Sequence, residues 1–253
     1  MTNSASLPKS YVPHPLSPQS TIPNPTPSNP QDEIFGSAYS AAIYISRILH
    51  LPPTHPTVFV LGESGIETEL DSEHIPHIGG TDPALNRAIT PSDYPAIASG
   101  AALDPTVGAV LAGLDFHINY LKLSLAFAYL QRGARFLATN TDTTLPSANS
   151  FFPGAGSISA PLVAMTGRKP TALGKPSVEM MQAIEGKFRF ERKRACMVGD
   201  RLDTDIRFGV EGGLGGTLCV LTGVVKGAEG WEGQGEGGVR PGYWVDRLAD
   251  LRG

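Results

Sequence analysis

The sequence predicts an α/β fold built on parallel strands, and three observations predict it. Short apolar runs of strand length recur along the chain, at Thr57–Leu61, Val107–Leu114, Phe136–Asn140 and Thr217–Leu221. Segments with helical apolar spacing fall between them, the alternation expected of a parallel sheet. The third observation is the stretch Arg194–Ile206, where the apolar run Ala195–Val198 ends at Gly199 and three acids follow, Asp200, Asp203 and Asp205. Acids at the carboxyl end of a buried strand lie where open α/β sheets bind ligands.

Residues 1–30 hold eight prolines and a single charge, Lys9. Such a segment cannot bury enough surface to offset its ordering entropy, so residues 1–31 read as a disordered tail. Ile34, Ala38, Ala41, Ile45, Ile48 and Leu49 then recur at helical spacing, and Pro52-Pro53 stops that helix. Thr57–Gly62 reads as a strand, Ser64–Leu70 as a helix with capping-box spacing to Glu67, and Ile75–Ile78 as a further strand. The polar, Pro-containing stretch 81–106 reads as an irregular insertion.

Val107–Leu114 is an apolar strand ending in Asp115. Asn119 can cap a helix to Arg132, with Leu121, Leu125, Ala128 and Tyr129 on one face. Phe136–Asn140 is a strand followed by the loop residues Thr141 and Asp142, and Pro153–Ser157 leads into a helix over Ile158–Thr166. A second series follows: strand Thr171–Gly174, a helix from Ser177 to Phe188, the acid-bearing strand, a helix over Asp203–Val210, and strand Thr217–Leu221. The Gly-rich 223–242 reads as a loop before Tyr243–Val245 and a short helix over Asp246–Leu251.

The chain has 253 residues and a net charge of -4. That charge argues against a nucleic-acid partner, which calls for a basic patch. No apolar run approaches membrane-spanning length. Cys196 and Cys219 both sit in apolar runs and read as small buried hydrophobes of a reduced, cytoplasmic protein. The histidines form no HExxH, the chain has no GxSxG elbow, and no Gly-rich turn follows the first strand. A serine hydrolase or a nucleotide-binding oxidoreductase therefore has little support.

Clustered hard oxygen ligands at Asp200 and Asp205 suit Mg2+. The competing reading has Asp203 capping a helix while the other two acids are solvated. Lys175, between Gly174 and Pro176 just before a helix N-terminus, can aim an ammonium at a phosphate. A turn lysine at the surface is the bland alternative.

These residues resemble a known family. Gly174-Lys175-Pro176 and Met197-Val-Gly-Asp-Arg-Leu-Asp-Thr-Asp-Ile206 resemble motifs III and IV of haloacid-dehalogenase (HAD) superfamily phosphatases. More narrowly, the chain is similar to the 4-nitrophenylphosphatase and phosphoglycolate/pyridoxal phosphatase branch with its C2-type cap. Val60–Glu63, Ile78–Gly80, Ala138–Asp142, Pro153–Ser157 and Thr166–Pro170 agree with that branch. The resemblance implies a Rossmann-like core of residues 32–56 and 168–253, lacking its first strand, with an inserted α/β cap of residues 57–167. It implies Mg2+-dependent hydrolysis of a small phosphorylated metabolite. Lys175 would neutralise the nucleophile and the phosphoryl group, Asp200 would hold Mg2+ with Asp205 in support, and Asn140 and Asp142 would face the substrate from the cap. Family members often dimerise through that cap.

The family's first motif, Asp-x-Asp-Gly-Thr or Asp-x-Asp-Gly-Val, supplies the nucleophile and the general acid. The one Asp-x-Asp here is Asp203-Thr-Asp205, which belongs to motif IV. Two readings follow: a family phosphatase impaired in turnover as written, or a non-catalytic truncated protein or pseudoenzyme whose cap serves binding or dimerisation.

Overall fold

Every residue of the strand β1 (Thr57–Leu61) is buried, so both faces of its sheet must be covered. The computed structural model, which describes residues 34–148, 150–227 and 238–251, shows how. The chain divides into two compact units, Phe35–Gly186 and Lys187–Gly253. In the first, α1 (Ser37–Tyr44) runs into a π-helical turn over Ile45–Leu49. After β1 come α2 (Ser64–Ser72), β2 (His77–Gly79), α3 (Asp93–Ser99), β3 (Val107–Ala112), α4 (Tyr120–Gln131) and β4 (Arg135–Ala138). The hairpin β5 (Thr144–Ser147) and β6 (Ser150–Pro153) precedes α5 (Ala155–Thr166), β7 (Thr171–Ala172) and α6 (Val178–Phe188).

Five of these strands form one parallel sheet in the order β2-β1-β3-β4-β7. Side chains alternate across it, as a strand's period of two requires. Phe59 and Leu61 join Val110 and Ala112 in a cluster under α4 and α5. Val58 and Val60 join Ala109 and Leu111 in a second cluster with Ala41, Ala42 and Leu70. Residues 35–56 and 168–186 pack in this same unit with 57–167, so the break in compactness falls after Gly186.

The second unit holds β8 (Cys196–Gly199), a π-helical turn over Leu202–Ile206 that continues into α7 (Arg207–Glu211), β9 (Gly216–Val220) and β10 (Tyr243–Val245). Its three parallel strands run in the order β10-β9-β8. A small core of Leu202, Ile206 and Cys219 packs with Leu221, Val225 and Trp244. No described helix is long and apolar enough to cross a membrane. The expected disordered tail lies outside the described residues, as does part of the Gly-rich loop.

Several expectations need correction. Residues 81–106 are not wholly irregular, because Pro83–Leu85 forms a 3-10 turn and α3 follows. Polar bonds that a hydrophobic pattern cannot reveal build this segment. The Asp93 carboxylate takes a guanidinium contact from Arg87 at 2.7 Å and also binds Thr90 through its backbone N–H and hydroxyl. The Arg87 bond above all, then Thr90, holds Asp93 well below the usual carboxylate range. The capping box at Ser64 does not form: Glu63 stands at the N-cap and its side chain makes no capping bond. Glu67 is drawn instead to the loop after β2, accepting from the Thr81 N–H at 2.9 Å and its hydroxyl at 2.7 Å. Ile34, placed on the apolar face of the first helix, precedes α1 and is exposed. Asn119 does cap α4, accepting from Lys122 N at 3.0 Å, and Leu121, Leu125, Ala128 and Tyr129 are all buried.

An ion pair lies inside this core. Lys122 is 1% exposed, and its ammonium reaches Asp115 Oδ2 at 3.0 Å and the Gly80 carbonyl at 2.9 Å. Removing one partner of a buried ion pair strands the other charge, at a cost of about 3–5 kcal/mol. Lys122→Ala should lower stability in chemical denaturation by about that amount, and the paired change Asp115→Leu/Lys122→Met by clearly less.

Candidate active site

Functional side chains in a parallel sheet gather at the carboxyl ends of its strands. In the first unit, β4 ends at Ala138 and leads through buried Thr139 to Asn140. Asn140 Oδ1 accepts from the Asp142 N–H at 3.1 Å, closing a local turn. The Asp142 carbonyl in turn accepts from the Gly156 N–H at 2.8 Å, which ties this loop to the first turn of α5. β7 lies beside β4, with the Leu173 N–H donating to the Ala138 carbonyl at 2.8 Å. The next residue, Gly174, packs against Thr139 and Asn140 so closely that a Cβ would sit 2.6 Å from the Thr139 carbonyl oxygen. Lys175 follows, exposed and joined to Pro176 by a cis peptide bond. Ser177 Oγ then accepts from Met180 N at 3.2 Å at the start of α6. The fold therefore brings Asn140, Asp142 and Lys175 to one edge of one sheet.

The same edge carries a group that the sequence reading missed. Glu63, Asp115 and His117 offer donor atoms within 4.8 Å of one another. Glu63 Oε1 accepts from Phe116 N at 2.7 Å and meets His117 Nδ1 at 3.3 Å, while Asp115 Oδ1 accepts from His117 N at 2.8 Å. The Lys122 ammonium already balances the Asp115 charge, so these bonds hold the loop after β3 and leave little for a cation. The available signal was positional: Glu63 and Asp115 both stand just past the tips of adjacent parallel strands.

In the second unit, β8 delivers Asp200 and the following turn delivers Asp205. Asp205 is 5% exposed, and its Oδ2 accepts from the N–H groups of Asp200 and Arg201, both at 3.2 Å. Gly199 lies flat against this carboxylate, and a side chain there would overlap Asp205. Asp200 Oδ2 accepts from Val224 N at 2.7 Å. Its Oδ1 accepts no hydrogen bond among the described residues. One acid is thus clamped by backbone while the other is oriented with an open oxygen, a donor set that fits a hard divalent ion. Asp203 points away, with its side chain 74% exposed.

Cys219 lies beneath the two acids, fully buried. Burial first, and then the charges of Asp200 and Asp205, push its thiol up to about 11. Cys196 differs from expectation: β8 is an edge strand of its sheet and leaves this thiol exposed.

Parallel sheets, one with a lysine just past a strand tip and the other with paired acids past a strand tip, carry the parts found in the α/β phosphoryl-transfer hydrolases. Comparison with known proteins gives the family. Residues 172–251 match a family model described as HAD-hydrolase-like. The chain is 52% identical over 221 residues to a 4-nitrophenylphosphatase of Schizosaccharomyces pombe, spanning 87% of this chain and 72% of that relative. It is 38% identical to a glycerol-3-phosphate phosphatase of Gallus gallus, across 89% of this chain and 72% of the relative. Among solved structures, a p-nitrophenyl phosphatase from Archaeoglobus fulgidus superposes with a TM-score of 0.69 at 27% identity, covering 87% of this chain and 74% of that one. The chain belongs to the HAD-like phosphatase family, in the branch of the 4-nitrophenylphosphatases.

The thiol environments give a test of the second unit. Only the thiolate attacks a disulfide reagent, and a raised pKa delays its formation. At about pH 8, 5,5′-dithiobis(2-nitrobenzoate) should titrate Cys196 in the native chain and spare Cys219. Cys219 should react only after unfolding, or as the pH climbs toward its value of about 11.

Proposed function

We propose that this chain handles phosphomonoesters of small metabolites with Mg2+. Phosphoryl transfer asks a protein chiefly to position the group and to stabilise its developing negative charge. Lys175 supplies a fixed cation for the phosphoryl oxygens. Asn140 and Asp142, on the neighbouring strand tip, face the rest of the substrate. Asp200 would hold Mg2+ through its open oxygen, with Asp205 fixing the backbone beneath it. When bound, the ion would supply positive charge. A glycerol phosphate phosphatase from Mycobacterium tuberculosis, 29% identical with a TM-score of 0.66, is described in complex with magnesium. That supports the assignment here.

The observation that carries this reading is the state of Asp200, oriented at 2.7 Å by Val224 N with its second oxygen unengaged among the described residues. The 253 residues hold no Asp-x-Asp-Gly nucleophile motif, so we expect turnover far below that of a complete family enzyme. The second reading, a non-catalytic protein that binds or dimerises through the cap, is favoured by the same missing motif.

Both readings meet in one assay. Purified chain with 4-nitrophenyl phosphate and Mg2+ is compared with Lys175→Ala and Asp200→Asn. Residual hydrolysis that falls about 100-fold or more in each variant supports the first reading. Wild-type activity no higher than either variant supports the second. Mg2+ titration followed by thermal shift should stabilise the wild type and not Asp200→Asn, whatever the turnover.

A further inference from the structure

At the amino-terminal ends of β1, β3 and β4, opposite the edge that carries Asn140 and Lys175, lies a cleft of about 360 Å3. This volume lies in the range of small-molecule sites, roughly 300–1,000 Å3. Its lining includes two arginines, Arg132 and Arg135, and two histidines, His50 and His55. No acidic residue among the described ones lines it. We propose that this cleft is a binding site for a small phosphoryl-bearing anion, separate from the phosphatase site.

Both walls are built before any ligand arrives. The loop carrying His50 and His55 leaves the π-helical turn through a left-handed residue, His50, at φ 48°. It is closed by a bond from His55 N to the Pro52 carbonyl at 2.8 Å. The loop then presses its His55 carbonyl onto β3 at Gly108, where no side chain fits. The other wall is the turn after α4. Gly133, at φ 97°, reverses the chain there, and its N–H bonds the Leu130 carbonyl at 3.2 Å. The Ala134 N–H reaches the Tyr129 carbonyl, also at 3.2 Å. Arg132 and Arg135 flank this turn.

Guanidinium groups keep their charge at any working pH and match the geometry of phosphate oxygens. Two arginines on one turn place two permanent positive charges at this concavity, in a protein whose net charge is -4. The end of α4 contributes partial negative charge at this point, which two guanidinium groups outweigh. The bland alternative gives the arginines no task beyond balancing that helix end, and it predicts no ligand.

Pyrophosphate is the probe, measured by isothermal titration calorimetry against the full chain without added metal. Lys175→Ala serves as the background that removes phosphate binding at the phosphatase site. That variant should still bind one equivalent with a dissociation constant below about 1 mM. Adding Arg132→Gln and Arg135→Gln should weaken this binding at least about tenfold. The melting temperature should stay unchanged within a few degrees. His55→Gln, tested separately, should weaken binding less. The proposal is overturned if Lys175→Ala alone abolishes binding, if the arginine changes leave affinity intact, or if no saturable binding is seen up to about 10 mM.

Discussion

A buried ammonium holds the first unit in register. Lys122 rises from α4 into the core and meets Asp115 after β3 and the Gly80 carbonyl after β2. Burying either charge alone would be prohibitive, so each fixes the other. The ends of two strands and the first turn of a helix therefore share one geometry. The surrounding bonds extend it: Asp115 to His117 N, Glu63 to Phe116 N, and Asn119 Nδ2 to the Leu85 carbonyl at 2.8 Å. The edge of the sheet that carries Asn140 and Lys175 is consequently a polar lattice on an apolar base.

The second unit anchors a buried acid on backbone donors. Asp205 is almost sealed, and its Oδ2 accepts from the N–H groups of Asp200 and Arg201. That fixes the backbone beneath the acid next door, whose own carboxylate accepts from Val224 N. Gly199 belongs to the same arrangement because any side chain there would collide with the Asp205 carboxylate. The spacing Gly-Asp-x-x-x-x-Asp thus encodes a contact, with glycine and the second acid touching.

Much of this was legible in the sequence, because long apolar runs and helix signals are local. Asn119 announced α4, and Val58 through Leu61 announced a strand covered on both sides. Lys175, Asn140 and Asp142 could be named because each follows a strand. What stayed hidden depends on distant partners. Lys122 reads as a surface residue until Asp115 and Gly80 are seen around it. The helix α3 reads as loop because Arg87, Thr90 and Asp93 bond through polar atoms that carry no periodic signal. Cys196 was misread because an apolar run does not say whether its strand is central or at an edge. The hairpin β5–β6 was missed because its strands are only four residues each and solvent faces the second.

That hairpin separates Asp142 from α5 and exposes Phe151 and Phe152 at 73% and 49%. A two-stranded ribbon with its aromatic rings in water draws little of its order from packing. Amide protons in it will therefore trade with solvent sooner than those of the five-stranded sheet. This thinly packed ribbon thus borders the loop that carries Asn140 and Asp142. Variation in its length or composition can reshape that loop while the sheet beneath is left untouched.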